Sequence, residues 1–524
     1  MATAGLPASP LSPRWDPALH QPVLSLPQHF GIIALMAYIF VLLVRLPEIL
    51  AIHFGSSFSV VLGATILAFL SALLSGNIRA VALYRLTLFY LLLHGWFAFT
   101  IPFSAWRFGS FSALRVMGQS AGMYVFISLL VRTERHLRLA AWSICASTLG
   151  VLVYTTAFSR FDSETYARIS TGLGRFGNPN DLALFLMMGI PFWMYVAVSP
   201  RYHMVIRFFA GVEIAASVLQ CLRTGSRGAL LTLILLAVVL FLTVSIANKA
   251  KIALLAVSVV FLALTVVPDS VQNRLASVVD STRDQSAAQS SEGRMSLLVE
   301  SLNITARHPL FGVGLGVYVD AVRGLSEAAG QFKPSQQVPH NTFTTISAET
   351  GVLGLIFYLG CLISAWQAVW RARKMALRIP GLEDLGLLCG CIGLAFLIFT
   401  WNNLFFSLTG DVLFYMTCGM CMAAYVVTVE RNSAYLASKA ATGRTSAPDA
   451  SAGGVAEEQQ QEDSSAPSYP WLEPAATSSL RRSKVGSATT AAAADEPAAS
   501  PKPGDDSTGQ YGDVPWARSP RRRP

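Results

Sequence analysis

The sequence predicts an all-α polytopic membrane protein of about 12 transmembrane helices, with a large, partly helical periplasmic loop before the tenth span. Three observations predict it: 53% of residues are hydrophobic, only 13% are charged, and the mean hydropathy is +0.49. Soluble domains carry about 25% charged residues. Apolar runs approaching the ~20 residues that cross a bilayer fall at 30–47, 58–75, 82–103, 112–131, 137–157, 181–199, 203–221, 227–246, 251–268, 345–370, 383–408 and 411–430. Arg45, Arg115 and Arg207 interrupt the first, fourth and seventh of these.

Lys and Arg in short loops are retained on the cytoplasmic side. Arg79, Arg132/Arg135/Arg138, Arg201/Arg207, Lys249/Lys251 and Arg371/Arg373/Lys374/Arg378 occupy alternate connections, which puts both termini in the cytoplasm. The opposite connections hold Arg160, Arg168, Arg175, Arg223 and Arg227. These break the rule on the outer face and call for another explanation.

Residues 1–29 form a Pro-rich N-terminal segment with Trp15 and little positive charge, unlike a cleaved signal peptide, so the first apolar run is expected to act as the insertion signal. Residues 30–430 make the membrane domain. From 431 to 524 the chain is rich in Ala, Ser, Pro, Gly and Gln, and eleven cations balance eleven anions. That composition predicts a disordered cytoplasmic tail, and it assigns the net charge of +9 to the preceding residues. Arg521-Arg522-Arg523 reads as a solvated terminus or a lipid-surface contact rather than a nucleic-acid site.

All seven cysteines, Cys145, Cys221, Cys361, Cys389, Cys391, Cys418 and Cys421, fall in predicted spans and read as packing residues. Cys418-Gly-Met-Cys421 has redox-motif spacing but neither the βαβ setting nor the electropositive surroundings that activate a thiolate. No His/Cys/carboxylate group has metal-ligand spacing, so no metal or other cofactor is expected.

The polar chemistry lies in two outer connections. The shorter, 159–180, ends Gly172-Leu-Gly-Arg175-Phe-Gly-Asn178-Pro-Asn180-Asp181 before an apolar helix. Asn180 or Asp181 can cap that helix, leaving its positive dipole end beside Arg175. This reads either as an anion-facing helix terminus or as an ordinary capped turn. Next, Arg223 and Arg227 flank Thr224-Gly225-Ser226. A single arginine at a helix end snorkels to headgroups; two so close suit a phosphate, whose oxygens the guanidinium fork matches.

In the longer loop, 269–339, the segment from Gly293 through Arg294 and Glu300 to Ile304 has apolar residues at helical spacing, which predicts a helix lying along the membrane surface and ended by His308-Pro309. Gly312-Val-Gly314-Leu-Gly316 shares part of a dinucleotide fingerprint without its strand–turn–helix unit, and reads instead as a tight turn bringing backbone against backbone. Val338-Pro339-His340-Asn341-Thr342 then places a titratable group where the loop re-enters the membrane. A lone histidine at a helix start is commonly a capping residue. Glu349 further along is an intramembrane carboxylate, costly enough to imply a role.

Taken together, Phe176-Gly177-Asn178-Pro179-Asn180-Asp181, Gly225-Ser226-Arg227-Gly228-Ala229, the run Arg307-His308-Pro309 to Gly316, and Pro339-His340-Asn341 with Glu349-Thr350-Gly351 resemble the bacterial O-antigen ligase and Wzy-type polymerase superfamily over residues 30–430. The resemblance implies glycosyl transfer at the outer face of the bacterial cytoplasmic (inner) membrane, with the active site facing the periplasm. The donor would be a glycan on undecaprenyl diphosphate, and attack opposite the leaving group would invert the anomeric centre without metal. The acceptor would be lipid A-core for a ligase, a lipid-linked glycan for a polymerase, or a protein hydroxyl for an O-oligosaccharyltransferase. By the same resemblance His340 is the general base or orienting group for the acceptor hydroxyl. Arg175, Arg223, Arg227 and Arg294 hold the pyrophosphate and stabilise the departing lipid diphosphate. Asn180, Asn341 and Glu349 support them, with Glu349 orienting an arginine or holding the His340 helix. The expected partners are the lipid-linked donor, a glycan or lipid A-core acceptor and membrane lipid, with no nucleic acid. A secondary transporter or lipid flippase is the alternative from another class. It would place charges at the midplane in repeated, broken helices, whereas no internal repeat is legible and the candidate charges cluster at the outer boundary.

Overall fold

A segment in lipid must satisfy its backbone hydrogen bonds internally, and the apolar runs do so as helices. The computed structural model describes residues 26–445, apart from 56–59, 76, 78–80, 83, 162–167, 244–248, 251–256, 258–260, 262–264, 281–284 and 329–336. It is an all-α polytopic membrane protein. Its helices are α1 (Leu26–Val44), α2 (Leu46–Phe54), α3 (Val60–Leu74), α4 (Arg85–Thr100), α5 (Arg107–Leu130), α6 (Glu134–Phe158), α7 (Pro179–Val198), α8 (Met204–Arg223), α9 (Arg227–Thr243), α10 (Asp269–Ala276), α11 (Gln285–Arg307), α12 (Tyr318–Ala328), α13 (Thr342–Ala376), α14 (Glu383–Asn402) and α15 (Val412–Thr445). Two two-residue strands, Arg160–Phe161 and Ile169–Ser170, form the only sheet among the described residues.

Eight of these helices are long and apolar enough to cross a membrane. The first predicted span is broken: Arg45 adopts a left-handed conformation (φ 61°), and α1 and α2 meet at 59° around it. The polar side chain explains the break, because Arg45 pairs with Glu48 instead of continuing an apolar face. The predicted spans at 58–75 and 227–246 are the shorter apolar helices α3 and α9, and most of the one at 251–268 lies outside the described residues. Beyond residue 430, α15 continues to Thr445. Arg431 is only 4% exposed and its Nε donates to Glu134 at 2.6 Å, which gives that stretch tertiary support its composition does not advertise.

α13, α14 and α15 pack on one another; α4 and α5 lie on one side of them, and α7 backed by α8 lies on the other. α15 and α7 are the most enclosed, with 83% and 78% of their apolar windows buried. All seven cysteines are buried and free. Because successive helices alternate in direction, the starts of α7, α9 and α13 share one end of the bundle with the connections around residues 160–178, 224–226 and 268–341. The opposite end is tied by ion pairs. Glu134 meets Arg138 and Arg431, Arg138 lies 3.5 Å from Asp384, and Asp384 accepts from Tyr195, Ser199 and Arg201.

Candidate active site

Three helix starts build the site. Asn178 caps α7 by accepting from the Asn180 amide at 3.0 Å. Asn178 therefore takes the role expected of Asn180 or Asp181, because Pro179, which lacks an amide, fits the first helical position. Ser226 caps α9, its Oγ accepting from the Ala229 amide at 3.3 Å. Asn341 caps α13, its Oδ1 accepting from the amides of Phe343 (3.0 Å) and Thr344 (3.2 Å). Each cap leaves the positive end of a helix dipole at this side of the bundle.

Between these starts lies a cleft of about 470 Å³, lined by residues from α7, the α8–α9 turn, α10, α11 and the approach to α13. Arg168, Arg227, Arg274 and Arg294 line it together with Asn180 and His340, and no Asp or Glu is among its described lining residues. Arg168 is fixed by donating from Nε to the Thr224 carbonyl at 2.8 Å and from Nη2 to Asn180 Oδ1 at 3.2 Å. The Arg294 Nε is buried without a hydrogen-bond partner among the described residues. Burial, reinforced by Arg227 and Arg274, holds its pKa below the ordinary arginine value. Four guanidinium groups thus face one cleft whose described lining holds no carboxylate.

His340 is half-buried in the cleft wall. Burial first, then the positive charge of Arg294, lowers its pKa below the ordinary histidine value, so the neutral imidazole that can accept a proton is the favoured form at pH 7. The chain beside it is strapped to the α14–α15 turn: the Thr342 amide donates to the Asn403 carbonyl at 2.8 Å, and Thr342 Oγ1 donates to the Phe406 carbonyl (2.7 Å) while accepting from the Leu408 amide (2.9 Å).

Other residues singled out in the sequence lie elsewhere. Arg175 is bound by two carboxylates, Asp411 and Asp181 (3.3 Å), and is not among the cleft-lining residues. Arg223 ends α8, also outside the lining. Glu349, 3% exposed, pairs with no arginine among the described residues; its Oε2 accepts from the Gly316 amide at 2.9 Å. Around it the Gly-rich turn bonds backbone to backbone with α13, the Val313 and Gly314 amides donating to the Ala348 and Glu349 carbonyls, each at 2.9 Å. α13 breaks there at Gly351 (φ 75°, ψ 180°). A Cβ at Gly351 would fall on the Leu310 carbonyl oxygen, and one at Gly312 on the Glu349 carbonyl. Trp96 Nε1 donates to the Thr350 carbonyl beside the break at 2.8 Å, and the Val352 amide turns to the Pro309 carbonyl at 2.9 Å.

Two cleft cations were not among the residues sequence reasoning placed in the site. Arg168 carried a signal as one of the arginines that break the charge rule on the outer face. Arg274, in the polar helix Asp269–Ala276, carried none. The expected surface helix at 293–304 is longer, 285–307, and delivers Arg294 to the cleft from its middle.

A family model described as O-antigen ligase matches residues 213–359, a stretch that contains Arg227, Arg274, Arg294 and His340 but not Arg168 or Asn180. No curated protein matches the chain. The match and the apolar helices together support a multi-pass bacterial inner-membrane protein with a polysaccharide-related, glycosyltransferase-like function.

Proposed function

We propose that this O-antigen ligase-like chain transfers an oligo- or polysaccharide from undecaprenyl diphosphate to an acceptor hydroxyl, with lipid A-core as the acceptor. The observation that carries the reading is four arginines and a half-buried histidine in one cleft, with no acidic residue among its described lining residues. Guanidinium forks suit the paired oxygens of a diphosphate, and three helix starts add positive dipole ends. His340 takes the proton from the acceptor hydroxyl as its oxygen attacks the anomeric carbon. The bond from that carbon to the diphosphate breaks, and its electron pair leaves on the phosphate oxygen, where Arg168, Arg227, Arg274 and Arg294 stabilise it. Opposite-face attack inverts the anomeric centre, and the guanidinium charge serves in place of a metal. Arg175 and Arg223 act from behind the lining, Arg175 by fixing the start of α7, and Glu349 by holding the Gly-rich turn. Alternating cations in the short loops of the opposite end orient the cleft to the periplasm and both termini to the cytoplasm.

The test is reconstitution of the full chain in nanodiscs with an undecaprenyl-diphosphate oligosaccharide, offering lipid A-core, lipid-linked glycan and a protein in parallel. Glycan appearing on lipid A-core supports the ligase reading; glycan on either other acceptor replaces it with polymerase or protein transferase. His340→Ala is expected to lose about 10²–10⁴-fold in transfer rate. A wild-type rate in that variant would remove His340 from the chemistry.

A further inference from the structure

We infer that the cleft holds the departing lipid diphosphate more tightly than the glycan-bearing donor, so that the protein is inhibited by its own product. The inference rests on the diphosphate reading above and follows from counting charge. In the donor the diphosphate is esterified at both ends and each phosphate carries one negative charge, two in all. Transfer breaks the bond to the sugar and leaves the terminal phosphate free of any ester, and such a terminal phosphate has its second ionisation near pH 6. At neutral pH the product therefore carries about three charges, and the acceptor's proton has passed through His340 to solvent.

The lining is matched to the larger charge. Four guanidinium groups come from four separate places in the chain, the approach to the second strand, α9, α10 and α11, with no carboxylate among the described lining residues. Arg294 is disfavoured as a cation first by burial and then by Arg227 and Arg274, and its Nε finds no hydrogen-bond partner among the described residues. A third negative charge offsets more of this positive charge and offers one more strong acceptor. Hydrogen bonds to charged groups are the stronger class, so the gain is expected to exceed about tenfold in affinity. What stabilises the charge on the leaving group as it forms also retains it afterwards.

The experiment compares farnesyl diphosphate with its glucosyl diester as ligands for the full chain in nanodiscs, between pH 5.5 and 8. The monoester is expected to bind at least about tenfold more tightly at pH 8, with the advantage shrinking below about pH 6 as the terminal phosphate takes up its proton. Arg274→Gln and Arg294→Gln should each reduce the ratio of the two affinities, which general loss of fold would not do selectively. Adding a prenyl-diphosphate phosphatase to a transfer reaction should raise the sustained rate without changing the first turnover. Equal affinities at pH 8 overturn product retention while leaving the diphosphate site in place. Binding of neither ligand overturns the diphosphate reading itself.

Discussion

His340 acquires its chemistry from its neighbours. Burial and the Arg294 charge lower its pKa from the usual ~6.5, so the neutral base persists at lower pH and activity should fall only as pH drops through that depressed value. Removing the Arg294 charge raises the value, so Arg294→Gln should move the acidic limb of kcat, measured at saturating donor, to higher pH, whereas Arg294→Lys should leave it in place. A limb that stays put in Arg294→Gln would detach His340 from the rate. Arg175 is the contrasting case. The sequence offered a fixed cation beside an anion-facing helix start, a fair local reading, but the anions that meet Arg175 are Asp181 and Asp411. Asp411 is 236 residues away in the chain, and no local pattern announces such a partner. Arg175→Ala strips two largely buried carboxylates of their counter-charge, a loss of about 3–5 kcal/mol by analogy with broken buried pairs, and should appear as a marked fall in the thermal midpoint. An unchanged midpoint would show that the pairs contribute little.

Among the elements, the Gly-rich turn and the broken α13 depend on each other. Glycines in the turn and at position 351 allow the two backbones to touch, and Glu349 closes the junction through the Gly316 amide. Glu349→Gln keeps an oxygen acceptor for that amide, whereas Glu349→Ala removes the hydrogen bond, a cost of about 0.5–1.5 kcal/mol. The alanine variant should therefore lose stability and kcat together, with the glutamine variant close to wild type. If glutamine is as damaging as alanine, the carboxylate charge has a role beyond this bond. The turn was legible because glycine spacing is a local signal, as were the starts at Gly225-Ser226 and Pro339-His340-Asn341. Arg168 and Arg274 were not placed in the site because tertiary packing alone brings them there: Arg168 reaches Thr224 across 56 residues of chain. The cap of α7 lies two or three residues before Asn180 or Asp181, because Pro179, which has no amide to leave unpaired, takes the first helical position.

At the scale of the molecule, the two ends do different work. Apolar run length and charge alternation made the helical bundle readable, while the buried ion-pair network at the end away from the cleft was hidden, since Glu134, Asp384 and Arg431 come from three distant helices. Asp384→Leu removes the acceptor shared by Tyr195, Ser199 and Arg201 and should lower thermal stability while leaving KM for the donor unchanged; a raised KM would mean the two ends are coupled. The break at Gly351 bears on that separation. An unbroken α13 would act as a lever, and any tilt imposed by a thicker or thinner bilayer would swing its tip at His340. With its carbonyl and amide groups at the break bonded sideways to Trp96 and Pro309, the tip is moored to the loop layer and the long segment below can lean as the lipid demands. His340 is thereby shielded from the tilt of the segment that crosses the membrane.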